Sequence, residues 1–174
     1  GAALAASGVA GVTPKLAYPS DLTLNGLSFQ TMAEKLQAQL AEAGIAIDLA
    51  PAPVATELEN YRAGKEQMGL WYWAPDFPHP SNYLAFAPGG LIGKRANWPT
   101  EASPDIDAAA KAAAAATDPA EQDARYQEFQ QALNASGPFI PLVQPPSNIV
   151  TATSVTGAVY NPIWTIDVGD IAAA

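Results

Sequence analysis

An α/β fold with an open, mainly parallel sheet flanked by helices is predicted by three observations. Stretches of strand length alternate with amphipathic stretches of helix length over residues 15–73. That order, strand–helix–strand–helix–strand, returns each strand parallel to the one before through a right-handed crossover. The 174 residues, 49% hydrophobic and 14% charged, suffice for a buried core without staples.

Each element has its own signal. Lys15 to Tyr18 reads as a strand, closed by the turn Pro19-Ser20-Asp21. Ser28 to Ala43 reads as a helix, because Phe29, Met32, Ala33, Leu36 and Leu40 recur on one face. Gly44 is its natural stop. Ile45, Ile47 and Leu49 alternate with Ala46 and Asp48, a half-buried strand ended by Pro51 and Pro53. A second helix spans Val54 to Ala63, with Thr56 and Glu59 spaced as a capping box. Gln67 to Trp73 reads as the third strand.

The rest of the chain is less regular. A loop rich in Pro and Gly runs from Ala74 to about Ser103; its aromatic residues argue against disorder. Pro104 to Ala116 is an Ala-rich helix. Asp118-Pro119-Ala120-Glu121 opens another: N-cap, first-turn Pro, and a Glu placed for reciprocal capping. Gly137 ends it. Phe139 to Val143 and Asn148 to Ala152 read as short strands, and the tail from Val155 as irregular. One α/β lobe over 1–174 is expected, with a cut edge or linker at 1–14, a core at 15–153 and a tail at 154–174. Gly1 to Val12 read as the end of an Ala-rich helix and a Gly-rich turn.

Composition excludes several classes. With no Cys, there is no disulfide, zinc-thiolate site or cysteine nucleophile. The net charge of -9, with scattered Lys and Arg, offers no positive stripe for nucleic acid or anionic membrane. No apolar run approaches membrane-spanning length, so membrane insertion is not expected. The single His79 lies between two prolines, and no Gly-x-Ser-x-Gly elbow accompanies it. Gly89 to Lys94 is rich in Gly but matches no phosphate-binding pattern, so no cofactor is called for. No nucleophile–base pair or metal cluster points to an enzyme.

The aromatic segment is more informative. In a parallel sheet, ligands bind beyond the carboxyl ends of the strands, where strand order switches. Tyr18-Pro19-Ser20-Asp21 and Trp73 to Pro80 should therefore share a rim. Trp71 and Trp73 alternate with Tyr72, so the first two face one way. With Asp76, Phe77 and Tyr83 they make an aromatic rim carrying one acid. Rings supply apolar area and a carboxylate orients an ammonium, which suits a small amine-bearing ligand. Core packing, with Asp76 capping a turn, accounts for the same residues. His79 reads on its own as an exposed loop residue.

Five segments, in order, carry a resemblance: Tyr18 to Asp21; Leu40-Ala41-Glu42-Ala43-Gly44-Ile45; Tyr61 to Trp73; Trp73 to Leu84; and the Asp118 helix with Gly137 to Leu142. From about Leu4 to Ile166, the chain resembles the second lobe of extracellular solute-binding proteins of the peptide-binding type. The resemblance implies one lobe of a clamshell that captures solute outside the cytoplasmic membrane and delivers it to an ATP-driven importer. It implies that Asp76, three residues after Trp73, holds the ligand's amino group. His79 stands where relatives often carry an acid, which lowers the local negative charge and argues against a plain peptide ligand; relatives bind opines, sugars, metal chelates and other solutes, so the expected solute is a peptide, opine-like or related molecule. Trp73, Asp76, Phe77, His79, Tyr83, Tyr18 and Asp21 are thus the candidate binding residues. The implied partners are the solute, the missing first lobe and an ABC permease. The alternative is a stand-alone α/β domain that binds small molecules or a partner without catalysis.

Overall fold

Strand β1 (Lys15–Pro19) is the centre of a three-stranded parallel sheet. β4 (Asp48–Ala52) pairs along its whole length, from Lys15↔Asp48 to Pro19↔Ala52. β5 (Met68–Gly69) pairs on its other side, Leu16 with Met68 and Ala17 with Gly69. Strand order therefore switches at β1. The computed structural model describes residues 11–161 and 163–174. Its chain divides into two compact units, one through Tyr72 and one from Trp73 to Ala174. The sequence reading of residues 1–12 falls mostly on 1–10, outside the described residues.

In the first unit, helix α1 (Phe29–Glu42) begins at Ser28, whose Oγ accepts the Thr31 N–H. Buried Phe29 and Ala33 join Leu16, Tyr18, Ile47 and Leu70 in the core. Gly44 adopts φ +81°, the left-handed geometry that closes a helix and that side chains resist. The Ile45 N–H turns back to the Leu40 carbonyl at 2.8 Å. That closure displaces the second strand from the predicted 45–49 to Asp48–Ala52. Pro51 lies within it, which is tolerated because β4 is an edge.

Helix α2 (Val54–Arg62) starts without the predicted Thr56 capping box; Pro53 is its N-cap and makes no side-chain cap bond. Asp21 Oδ1 accepts the Val54 N–H instead, at 2.8 Å. Thr23–Leu24 (β2) and Leu27–Ser28 (β3) form a hairpin. The third parallel strand is shorter than the predicted 67–73. Leu70 N–H reaches the Ala17 carbonyl at 2.9 Å. The next rung would need an N–H at Pro19, which proline lacks. Trp71, Tyr72 and Trp73 thus run on outside the sheet.

In the second unit, the stretch read as a long loop holds three helical pieces: a 3₁₀ turn at Pro80–Phe86, α3 (Leu91–Arg95) and a 3₁₀ turn at Thr100–Ala102. α4 (Pro104–Ala115) packs along α5 (Pro119–Ser136). The small faces of Ala110 and Ala113 permit close approach, and Ala113 is wholly buried. Asp118 caps α5 through Oδ1, which accepts from Ala120 N–H at 3.1 Å and Glu121 N–H at 3.0 Å. Trp98, Ile106, Ala87, Ala110 and Phe129 make this unit's core.

The strands read at 139–143 and 148–152 do not form. Pro138, Pro141, Pro145 and Pro146 remove ladder donors from this stretch. Ile140 and Val150, 81% and 92% exposed, gain no burial. The tail contains two small antiparallel pairs: β6 (Val155–Thr156) with β9 (Ala172–Ala173), and β7 (Tyr160–Asn161) with β8 (Thr165–Ile166).

Candidate functional site

Trp73, Asp76, Phe77, His79 and Tyr83 all fall in the second unit, where the chain runs through three prolines into the Pro80–Phe86 turn. Proline fixes φ at Pro75, Pro78 and Pro80, so few backbone states remain to this segment. The Trp73 ring meets Phe86 edge-on, with centroids 5.2 Å apart. Phe86 in turn stacks near Tyr83 at 6.3 Å and meets Phe139 edge-on at 5.1 Å. Trp73 is therefore anchored in an aromatic cluster. Its buried Nε1–H finds no protein acceptor among the described residues.

Asp76 is exposed. Among the described residues its carboxylate accepts one long hydrogen bond, from buried Asn82 Nδ2 at 3.5 Å. Asn82 is itself held by backbone: its N–H reaches the His79 carbonyl at 3.1 Å. The Asp76 oxygens thus keep free lone pairs, and Phe77 and Tyr83 in the same segment are exposed. Pro75, Phe77, Pro78, Tyr83, Gln130 and Ile163 line an open groove of about 390 Å³ against this segment.

His79 is braced, not loose. The Ser81 N–H donates to its Nδ1 at 3.1 Å, so Nδ1 is the acceptor nitrogen of the ring. Nε2 then carries the hydrogen and donates to Gln122 Oε1 at 3.3 Å. Tyr126 meets the imidazole edge-on at 5.8 Å. Helix α5 therefore fixes the ring that borders the groove.

Tyr18 and Asp21 lie in the first unit. Tyr18 is 2% exposed and packs in the core. Burial first, then the Glu34 carboxylate, raises its phenol above the usual range. Asp21 spends an oxygen on the start of α2. Asn82, Gln122, Tyr126 and Gln130 escaped the sequence reading. Gln122 had one signal, its place one turn beyond the Asp118 cap; the others had none apart from helical spacing.

No family model matches the chain. Two curated relatives do. Di/tripeptide-binding protein 4 of Pseudomonas aeruginosa (strain UCBPP-PA14) is 32% identical over 137 residues, which is 75% of this chain and 25% of the relative. Di/tripeptide-binding protein 2 of the same strain is 26% identical over 166 residues, 93% of this chain and 31% of the relative. Among solved structures, the Escherichia coli murein tripeptide binding protein MppA superposes with a TM-score of 0.79 over 98% of this chain and 33% of its own, at 16% identity. The chain is similar in sequence to di/tripeptide-binding proteins. Its fold is that of a part of these clamshell solute-binding proteins. It spans between a quarter and a third of the length of the curated relatives. Among the described residues no helix is long and apolar enough to cross a membrane.

Proposed function

We propose that this chain is a ligand-binding lobe of an ABC-importer solute-binding protein, and that it captures short peptides or related amine-bearing solutes without chemistry. The observation that carries this is the Asp76 carboxylate. It is exposed and weakly bonded within the protein, and its chain neighbours Pro75 and Phe77 line an open groove together with Tyr83. A free ammonium would complete its hydrogen bonding, and the rings would cover an apolar side chain. The names of the sequence relatives, which bind di- and tripeptides, support the same class.

In this reading Trp73, Asp76, Phe77, His79 and Tyr83 contact the solute, and Tyr18 and Asp21 serve the fold of the first unit. Residues 15–153 supply the lobe core, and the tail at 154–174 leads toward the first lobe. The lobe works outside the cytoplasmic membrane, with a first lobe completing the clamshell and an ABC permease receiving the solute. His79, in place of an acid, leaves Asp76 as the dominant local charge and broadens the acceptable solutes.

The test is calorimetric titration of di- and tripeptides into the whole protein that contains this chain. Asp76→Ala should weaken binding by about 10- to 150-fold, the equivalent of one charge-assisted hydrogen bond. Unchanged affinity would remove Asp76 from the site.

A further inference from the structure

A second groove, of about 320 Å³, lies wholly in the first unit, at the amino-terminal ends of β1 and β5. Lys15 of β1, Glu57 and Asn60 of α2, and Lys65, Glu66 and Gln67 of the α2–β5 turn line it. The Glu57 side chain is 95% buried, and its Oε2 has no donor among the described residues. Such an oxygen is costly unless a proton satisfies it.

Glu66 lines the same groove, and the Trp71 ring it holds stacks on Tyr61, one helical turn beyond Glu57. Two ionised carboxylates only accept, so a bond between them requires that one of them carry a hydrogen. Glu66 also accepts the Trp71 indole N–H, at 3.0 Å to Oε2 and 3.2 Å to Oε1. Trp71 stacks on Tyr61 of α2 with centroids 4.8 Å apart. Gly69 holds the arrangement from below: a Cβ there would strike Glu66 Oε2.

We propose that Glu57 and Glu66 form a carboxyl–carboxylate pair holding one shared proton, a switch whose state is passed to the Trp71 indole. With the proton present, Glu66 donates to Glu57 and accepts from Trp71, and every buried polar atom of the cluster is satisfied. Without it, two negative charges face each other, and Lys15 and Lys65 are the cations at the groove able to draw Glu66 outward. The indole then loses or exchanges its acceptor. Burial, followed by the Glu57 charge, raises the Glu66 carboxyl to about 7, so the change falls near neutrality. The proposal is independent of whether the chain binds peptide.

The experiment is a pH titration of tryptophan fluorescence on the 174-residue chain and its Trp71→Phe variant, with the difference isolating Trp71. A transition with a midpoint near 7 is expected. Glu66→Gln should abolish it. Glu57→Gln should lower the midpoint while leaving it above the ordinary 4.5, since burial remains. A flat difference curve between about pH 5.5 and 8, or a transition that survives Glu66→Gln, would overturn the pair. Should Glu66→Gln not fold, ¹³C carboxyl NMR of the unaltered chain decides: a Glu signal titrating near 7 supports the pair, and titration of all Glu signals below about pH 5.5 overturns it.

Discussion

The Asp21 carboxylate accepts the backbone N–H of Val54 at 2.8 Å, tying the turn after β1 to the start of α2 across 33 residues. A candidate binding residue is thus also a helix cap. Asp21→Ala should lower stability by about 1 kcal/mol, the usual loss of a capping side chain. Chemical denaturation of the purified chain measures it. Asp21→Asn keeps an acceptor oxygen and should recover most of the loss.

Gln122 serves two partners at once. Its Oε1 meets His79 Nε2, and its Nε2 donates to the Ala116 carbonyl at 3.1 Å. Gln122→Ala should cost about 1 kcal/mol and free the imidazole. Nitrogen-15 NMR of the ring should then show a mixture of tautomers where the parent chain shows Nε2–H. An unchanged ring spectrum would mean that Gln122 does not position His79.

The seam between α4 and α5 depends on small residues. Ala113 has no exposed surface. Ala113→Leu should destabilise the chain by about 1–3 kcal/mol, because extra methylenes must displace a packed neighbour. Thermal unfolding reads this as a fall of roughly 2–4 °C per kcal/mol.

Stability should fall as pH rises through neutrality. Glu66 is raised from 4.5 to about 7, so between those values the folded chain holds a proton that the unfolded chain has lost. Its contribution is complete below about 4.5 and is gone above about 7. The carboxyl is only half-buried, so screening reduces the effect to about 1 kcal/mol. Unfolding midpoints at about pH 5 and pH 8 should differ accordingly, and Glu66→Gln should remove most of the difference.

Much of the first unit was legible because its signals are local. Helical spacing from Phe29 to Leu40 and the stop at Gly44 placed α1 within a residue. The hairpin turn was legible but unread: Asn25 and Gly26 adopt φ 49° and 79°, the pair of left-handed residues that an Asn-Gly turn supplies. Strand limits were harder, because they depend on the partner. β5 stops where Pro19 withholds a donor, a fact written on another strand. At the candidate site, the aromatic and acidic residues stand out in the sequence. Their braces, Asn82, Gln122 and Tyr126, do not, because nothing local links residue 79 to residue 122. Trp71, Tyr72 and Trp73 were read as a strand with alternating faces, and they lie outside the sheet.

The most direct test of the central claim compares one tripeptide with its N-acetylated form. Both are titrated into the whole protein, unaltered and with Asp76→Asn. Acetylation removes the ammonium that Asp76 is proposed to hold. The account predicts that it weakens binding to the unaltered protein by about 10-fold or more, and by much less once Asp76 is replaced. Equal binding of the free and acetylated peptides by the unaltered protein would contradict it.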